Sequence, residues 1–376
     1  MARWGPISTY IFYLHRLNIS GIKARPDAFG HPDNNKEGAL TMPLDIATMR
    51  DSGATTIGEY RHKSVNDYSL FEKYGRAQRV PIEALVPDGD DLSHPERLDG
   101  FDALMNPETG ELLKMRPVSR GYKLEPHDTL FRDNADILNK SGLPLADIDI
   151  TDRLYDGGLK AHRTIYFNDL QADIGNTGDN VRCRLDIFNS IDQSWAFQVF
   201  SGAYRDLCRN TLVFGGQKSY QQKRKHTRNL DTTAMMTKAS NGLEIWTGQC
   251  DQMRAWSERA ITNEQFGAML ANTLCKKTTE AAKAGQGSQV NERLMNYLLH
   301  RFNEEKAELG STLWAGYNAL THWATHIDEE WTNEDGTTYQ TGRKGSRRHM
   351  VEQQRNKAVR DIMSDESWQL LELAAA

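Results

Sequence analysis

Residues 181–229 read VRCRLDIFNSIDQSWAFQVFSGAYRDLCRNTLVFGGQKSYQQKRKHTRN, and this stretch decides the fold. Apolar residues alternate with polar ones from Val181 to Ile187, which is the period-two pattern of a strand with one buried face. The polar residues on the opposite face are Arg182, Arg184 and Asp186. Residues 189–194 predict a turn, because Asn, Asp and Ser side chains bond their own backbone. The segment from Trp195 to Phe200 is predicted to return as the second strand of a hairpin.

The hairpin leads into the first of two basic segments. Residues 217–229 contain no acid and five cations, namely Lys218, Lys223, Arg224, Lys225 and Arg228. Residues 343–360 contain one acid, Glu352, and seven cations, namely Arg343, Lys344, Arg347, Arg348, Arg355, Lys357 and Arg360. The formal net charge is −5, and the two segments together carry +11, so the rest of the chain carries −16. Concentrated positive charge on an acidic protein is typical of a polyanion binder, although either segment alone also fits a solvated helix or loop face.

Composition limits the class of protein. With 376 residues, 38% of them hydrophobic, the chain can bury a sizeable core and is not expected to be disordered. The best apolar stretch, Ile7 to Leu17, is too short for a membrane span and lacks a cleavage pattern after it, so we expect an intracellular protein without a membrane partner. Four widely spaced cysteines form no CxxC pair and are predicted to be reduced, mostly buried thiols: Cys183, Cys208, Cys250 and Cys275.

The order of elements predicts three regions. Residues 1–100 are predicted to form an irregular N-terminal arm and a mixed segment, with acidic Pro81 to Gly100 as a surface loop or linker. Residues 101–230 are predicted to form an α+β core, in which an antiparallel β-sheet (a hairpin meander) packs against a helix from Pro126 to Lys140. Residues 231–376 are predicted to be a helical region that ends in a basic C-terminal helix.

Within this last region the pattern predicts four helices before a polar loop at 331–345. Their expected bounds are Ala234 to Ala260, Asn263 to Ala284, Val290 to Leu309 and Leu313 to Ile327. Thr262 with Gln265 offers a capping box for the second of them. Aromatic residues at helical spacing in the fourth helix, such as Trp314 and Trp323, indicate core packing.

Several short motifs in the C-terminal three quarters of the chain resemble a phage and plasmid family built on the prokaryotic domain of unknown function numbered 932. The resemblance runs from about Gly100 to the C-terminus. Its motifs are Asn106–Glu111, Gly121–Pro126, Asn189-Ser190-x-Asp192, Arg205-x-x-Cys208-x-Asn210-Thr211, Lys225-His226-Thr227 and Leu313-Trp314-x-x-Tyr317-Asn318-Ala319-Leu320-Thr321. The chain departs from the family at Ser190-Ile191-Asp192-Gln193, where the family usually has Ser-His-Asp-Gly, and this argues against essential histidine chemistry at that turn. The resemblance implies a mobile-element origin and a bacterial host cytoplasm as the place of action.

Enzymatic interpretations find little support in the residue patterns. No base or orienting partner near Cys208 is suggested, so we expect a buried thiol, with Asn210 bonding the turn at 189–192. His322 and His326 have the spacing of two metal ligands on one helix face, with Glu329 or Glu330 a turn further, but no glutamate lies between them as in HExxH proteases. No phosphate-binding glycine loop or two-metal carboxylate set is recognisable. We therefore predict no catalytic residue, no metal site and no cofactor.

The function predicted is that of a phage-encoded DNA-binding protein in recombination or replication, non-enzymatic and homo-oligomeric, with single-strand annealing as its proposed activity. The layout is also similar to that of phage annealing proteins. The predicted phosphate contacts are Lys218, Lys223, Arg224, Lys225, Arg228, Arg343, Lys344, Arg347 and Arg348, and Tyr204 or Tyr220 would stack on unpaired bases. Two alternatives stay open: an anti-restriction or host-takeover protein that binds a host protein through its acidic surface, and a metal-dependent nuclease that uses His322 and His326.

Overall fold

A computed structural model describes residues 58–88, 91–113, 117–175, 179–205, 210–213, 221–242, 246–277, 290–327, 329–332, 336, 338–340 and 348–373. The side chains of 84–88, 91–94, 179, 210–213, 221, 242, 340, 348–350 and 353 are excluded from this description. The N-terminal arm predicted at 1–43 therefore lies outside the described residues. So do Cys208, Lys218, Tyr220, Arg343, Lys344 and Arg347.

The chain is an α+β protein, as predicted. Its strands are β1 (Gly58–His62), β2 (Gln78–Asp88), β3 (Asp91–Met105), β4 (Val118–Ser119), β5 (Ile148–Tyr155), β6 (Lys160–Ile174), β7 (Asp179–Ser190), β8 (Phe197–Arg205), β9 (Asn210–Val213), β10 (Gln221–Arg224), β11 (Glu330–Thr332) and β12 (Thr338–Gln340). Its described helices are α1 (Ser69–Tyr74), α2 (His127–Lys140), α3 (Thr232–Gly242), α4 (Trp246–Glu258), α5 (Asn263–Asn272), α6 (Glu292–Leu309), α7 (Leu313–Thr325), α8 (Arg348–Met363) and α9 (Glu366–Leu373).

The central sheet is an antiparallel meander with the order β1-β5-β6-β7-β8-β10, and β9 also pairs with β8. The predicted hairpin is its middle, because β7 pairs with β8 from Val181–Arg205 to Phe188–Gln198. The alternation predicted for β7 is confirmed: Val181, Cys183, Leu185 and Ile187 are fully buried on one face. That face packs against helices, because apolar side chains leave water only if another layer covers them.

Several described helices cover the apolar face of the sheet, and α1, α2 and α3 are among them. The guanidinium of Arg163 on β6 lies 5.3 Å from the ring of Phe71 on α1 and 5.1 Å from that of Phe131 on α2. On β8, Ser201 Oγ donates a hydrogen bond of 3.0 Å to the carbonyl of Ala239 on α3. The opposite face is the polar one, and it carries the candidate site described below.

The loop or linker predicted at 81–100 is wrong. Strands β2 and β3 form a long antiparallel hairpin, and β4 adds a third strand to this smaller sheet. Prolines are tolerated because Pro81 and Pro87 lie on the edge strand β2, next to register shifts. A separate apolar cluster, which includes Leu104, Tyr122, Leu159 and Ile191, joins this hairpin to the turn regions of the central sheet.

The helical region is confirmed with corrections. The predicted helix from Ala234 to Ala260 is two helices, α3 and α4, and the basic C-terminal helix is also two, α8 and α9. The loop predicted at 331–345 contains the small hairpin β11–β12. The capping box before α5 is confirmed: Thr262 Oγ1 accepts from Gln265 N at 3.2 Å, and Gln265 Oε1 accepts from Thr262 N at 2.8 Å. Among the described helices, none combines the length and apolar character that crossing a membrane requires.

Candidate nucleic-acid interface

Strand register brings charged and aromatic residues together on the polar face of the central sheet. Residues directly opposite each other in neighbouring strands share a face of the sheet. One row across the strands is Arg153–His162–Phe188–Gln198–Lys223, a second is Thr151–Thr164–Asp186–Phe200, and a third is Asp149–Tyr166–Arg184–Gly202. Arg182 and Tyr204 form a further pair on the same face. The polar face, defined by these rows, joins four adjoining strands to β10.

Asp186 is the centre of a buried ionic cluster on the polar face. Arg184 donates two hydrogen bonds to its carboxylate, at 2.6 and 2.8 Å, and His162 Nε2 lies 2.8 Å from Oδ1. Burial opposes ionisation of Asp186, but Arg184 and His162 outweigh it and hold the pKa of the carboxyl well below its ordinary value. Burial also lowers the pKa of His162 to about 4, so that its ring is neutral at pH 7. The cluster therefore has a fixed charge distribution at physiological pH.

Beside this cluster lies a partly exposed group of rings and cations. The rings of Tyr166 and Tyr204 meet edge to face with centroids 5.1 Å apart. The guanidinium groups of Arg182 and Arg184 lie 5.4 and 5.9 Å from the Tyr166 centroid. Arg182 also donates a hydrogen bond of 2.9 Å to Asn168 Oδ1. Tyr204 is one of the stacking residues predicted from the sequence, whereas no sequence pattern distinguishes Tyr166 from other tyrosines.

The first basic segment continues this surface along β10 and the turn after it. Lys223, Arg224, Lys225 and Arg228 are all exposed, and we call these four residues the basic edge. Lys223 lies opposite Gln198 in the register and so belongs to the polar face. In the part of the chain that the structure describes, Arg224, Lys225 and Arg228 form no ion pair. Uncompensated cations at a sheet edge are available to an anionic partner.

One residue of the second basic segment, the acid Glu352, lies near the same face. The described residues of this segment begin with Arg348, the first residue of α8. One turn further along α8, the Glu352 carboxylate is near enough to contribute to the raised pKa of Arg184, although burial, Asp186 and Tyr166 act on that pKa more strongly. This proximity is consistent with both basic segments lying on one surface, which stays a prediction for residues 343–347.

Most family-motif residues that the structure describes serve to hold the fold. Asn189 Nδ2 donates to the Glu125 carbonyl at 2.8 Å and lies 2.9 Å from His127 Nδ1. Ser190 Oγ accepts from Trp195 N at 3.0 Å, and Asp192 Oδ1 accepts from Ser194 N at 3.0 Å. These contacts close the turn between β7 and β8, as the residue types predict. His226 Nδ1 lies 3.1 Å from the Lys123 carbonyl, and its ring stacks on that of Tyr122.

The predicted contact between Asn210 and this turn is wrong. Asn210 pairs with Arg205, and the turn precedes Phe197 at the other end of β8. At about 3.3 Å per residue, the two ends of β8 are about 26 Å apart. Arg205 itself is the last residue of strand β8. Thr211 lies opposite Tyr204 in β9.

Arg205 links the sheet to the C-terminal helices. Its side chain is fully buried, and Nη1 donates a hydrogen bond of 2.7 Å to Glu305 Oε2 on α6, with Glu308 at 3.4 Å. Burial raises the pKa of Glu305, and the Arg205 guanidinium opposes that rise. One hundred positions separate the two partners, and the sequence contains no local signal for the pair.

The proposed histidine pair belongs to a neighbouring polar network. The rings of His322 and His326 stack with centroids 4.1 Å apart, and His322 Nε2 lies 2.9 Å from Glu329 Oε2. Tyr297 also donates to that carboxylate oxygen at 3.0 Å. In the described ranges no three His, Cys, Asp or Glu side chains are grouped as a metal site requires. The geometry of His322 is that of a hydrogen-bonded helix residue.

The predicted state of the thiols is confirmed for the described cysteines. Cys183, Cys250 and Cys275 are free and buried. Burial raises the pKa of Cys250 to about 11 and that of Cys275 to about 12, and it raises the pKa of Cys183 as well. Thiols of this kind are poor nucleophiles at neutral pH.

A pH dependence of stability follows from His127, the partner of Asn189. Burial lowers the pKa of His127 from 6.5 to about 4, so the unfolded chain takes up its proton first as the pH falls. Stability from this residue is present above pH 6.5 and is lost towards pH 4. Between pH 7.5 and 5 the loss is about 2 kcal/mol. We expect denaturant unfolding of His127→Gln to show a pH dependence flatter by that amount, and an unchanged slope would contradict this assignment.

Comparison with known protein families assigns the chain to one of them. The sequence profile described as "Domain of unknown function (DUF932)" matches residues 114–362, which is more than half of the 376 residues. The chain belongs to this family. The match confirms the resemblance expected from the motifs, although it starts after Gly100 and leaves out the Asn106 turn. It spans β4 to α8 and thus contains most of the polar face and the whole basic edge. No curated protein and no solved structure gives a significant match.

Proposed function

We propose that this member of the DUF932 family is a phage-type DNA-binding protein that acts without catalysis in recombination or replication, with annealing of single strands as its activity. The carrying observation is the basic edge: four exposed cations next to a sheet face that carries arginines and aromatic rings, of which Arg224, Lys225 and Arg228 form no ion pair within the described residues. We further propose that it works as a homo-oligomer in the cytoplasm of a bacterial host.

The charge geometry favours a phosphate backbone over an acidic protein as the partner. Four exposed cations follow one another within six residues, along β10 and its turn, and so form an extended track. A nucleic-acid backbone offers evenly spaced charges along such a track, and each neutralised phosphate of a single strand contributes about 0.7 to the salt dependence of log affinity. Arginine-rich surfaces with neighbouring aromatic rings are also the composition of single-strand binding sites.

The test is fluorescence anisotropy of a labelled oligo(dT) at several salt concentrations. We expect removal of all four charges in Lys223→Gln, Arg224→Gln, Lys225→Gln and Arg228→Gln to reduce the slope of log affinity against log salt by about 2 to 3, since four phosphate contacts are lost. A matched control removes four exposed cations elsewhere, at Lys73, Lys140, Arg254 and Lys276. Salt-independent binding by the wild type, or equal loss in both variants, would refute the proposal.

Two companion measurements separate the alternatives. Mixing complementary single strands with the protein is expected to speed their annealing, measured by the quenching of paired end labels. The same strands incubated with Mg²⁺ or Mn²⁺ are expected to stay intact on a denaturing gel. Degradation that requires the metal would favour a nuclease. Capture of a host protein without any DNA binding would favour a takeover factor.

A further inference from the structure

Two tyrosines are placed on the sheet in a position that core packing does not explain. Tyr166 on β6 and Tyr204 on β8 flank β7, and both belong to the polar face. Each is partly exposed, whereas the helix-covered face of the same strands is buried. Large rings that stay accessible on a polar sheet face are a recurring feature of binding surfaces.

Two arginines lie beside these rings. Arg182 lies directly opposite Tyr204, and its guanidinium stands over Tyr166. Its side chain is 22% exposed and lies 3.5 Å from the Asp149 carboxylate, a partly exposed ion pair from which a phosphate could draw the guanidinium. Next to it, Arg184 lies opposite Gly202, which contributes no side chain to the face. The Arg184 side chain itself is buried and paired with Asp186.

We propose that the polar face is a stacking platform for single-stranded nucleic acid, on which Tyr166 and Tyr204 contact unpaired bases and Arg182 contacts the phosphate between them. This inference rests on the proposed function and adds the class of substrate. From these rings, the bound nucleic-acid strand would continue along β8 to the basic edge. Tyr204 and Gln198, the neighbour of Lys223, are six residues apart on β8, or about 20 Å.

The platform selects single strands over duplexes for a physical reason. In a duplex the faces of the bases are already stacked on one another, whereas an unpaired base exposes a face that an aromatic ring can cover. Because every base has such a face, this contact carries little sequence preference. Cations alone would bind duplex and single strand through their phosphates.

The experiment compares oligo(dT) with an abasic deoxyribose-phosphate strand of equal length and charge. We expect Tyr166→Leu and Tyr204→Leu each to weaken oligo(dT) binding about 5- to 150-fold, the range measured for one stacked base. Binding of the abasic strand and the salt slope should stay as in the wild type. Tyr166→Phe is the matched control, because it keeps the ring and should bind oligo(dT) normally.

The outcomes separate this inference from the proposed function. Unchanged oligo(dT) binding by both Leu variants, with the basic-edge variant still impaired, overturns the platform and leaves DNA binding intact. Equal weakening for both strands also overturns it, since the change would then be structural. Should a Leu variant fail to fold, photo-crosslinking of wild-type protein to 5-iodouracil oligonucleotides decides: adducts at Tyr166 or Tyr204 are expected, and adducts only elsewhere overturn the proposal. A wild type that binds neither strand would remove both proposals.

Discussion

Replacing Arg205 with Met is expected to lower the free energy of unfolding by about 3–5 kcal/mol, the usual cost of breaking a buried ion pair from one side. The change leaves the Glu305 carboxylate in a position that is 8% exposed, with its guanidinium partner gone. Burial already raises the pKa of Glu305, and Arg205 opposes that rise more strongly than His322 does. Denaturant unfolding at pH 7 measures the loss.

The pH dependence of this loss identifies its cause. Without Arg205, the folded state binds a proton on Glu305 more tightly than the unfolded chain does, so stability is regained as the pH falls through the raised pKa. The difference between wild type and Arg205→Met should therefore shrink from pH 7 towards pH 5. The exposed pair Arg254–Asp251 supplies the control, and Arg254→Met should change stability by less than about 1 kcal/mol. A loss that does not depend on pH would point to lost packing.

Individual strands, turns and helix starts of this fold can be predicted from the sequence, because each depends on residues that are close together in the chain. Alternation between Val181 and Ile187 gives the strand, polar turn residues give the reversal, and Thr262 with Gln265 gives the start of α5. The meander follows because strands joined by short turns pair with their chain neighbours. The division of the chain at residues 100 and 230 stays a prediction, although β1 shows that residues before 100 complete the central sheet.

Contacts between residues that are far apart in the sequence cannot be predicted in this way, because no local sequence pattern indicates them. The hairpin at 78–105 was missed because its prolines and acids are typical of loops, and its edge position, which makes them tolerable, is a tertiary property. The pairing of Arg205 with Glu305 spans two regions of the chain. Tyr166 becomes a candidate binding residue only because the strand register places it beside Arg182 and Tyr204. The basic edge can be predicted from the sequence because its four cations lie within six residues.

The apolar face of the sheet also contains the ion pair of Arg163 on β6 with Asp152 on β5. Arg163 donates two hydrogen bonds of 2.7 Å to Asp152, and His62 Nε2 lies 3.0 Å from the same carboxylate. The guanidinium also donates to the backbone carbonyls of Val65 and Asp67. One buried side chain thus connects β5 and β6 to the loop that leads into α1.

We therefore expect Arg163→Met to lower the free energy of unfolding by about 3–5 kcal/mol, because the fully buried Asp152 loses its guanidinium partner and two carbonyls lose their donor. The exposed cation Arg61 on β1, which pairs with Glu59 at 2.7 Å, is the control, and Arg61→Met should cost less than about 1 kcal/mol.

The same substitution should act locally before it acts globally, and hydrogen exchange can show this. Since Arg163 holds the segment before α1, the amides of Phe71 and Glu72, which bond to the Tyr68 carbonyl, should lose more protection than the amides of α7. Equal loss of protection in both places would mean that Arg163 stabilises the sheet as a whole and does not specifically anchor α1. Loss confined to α1 would establish this ion pair as the attachment of the first described helix to the central sheet.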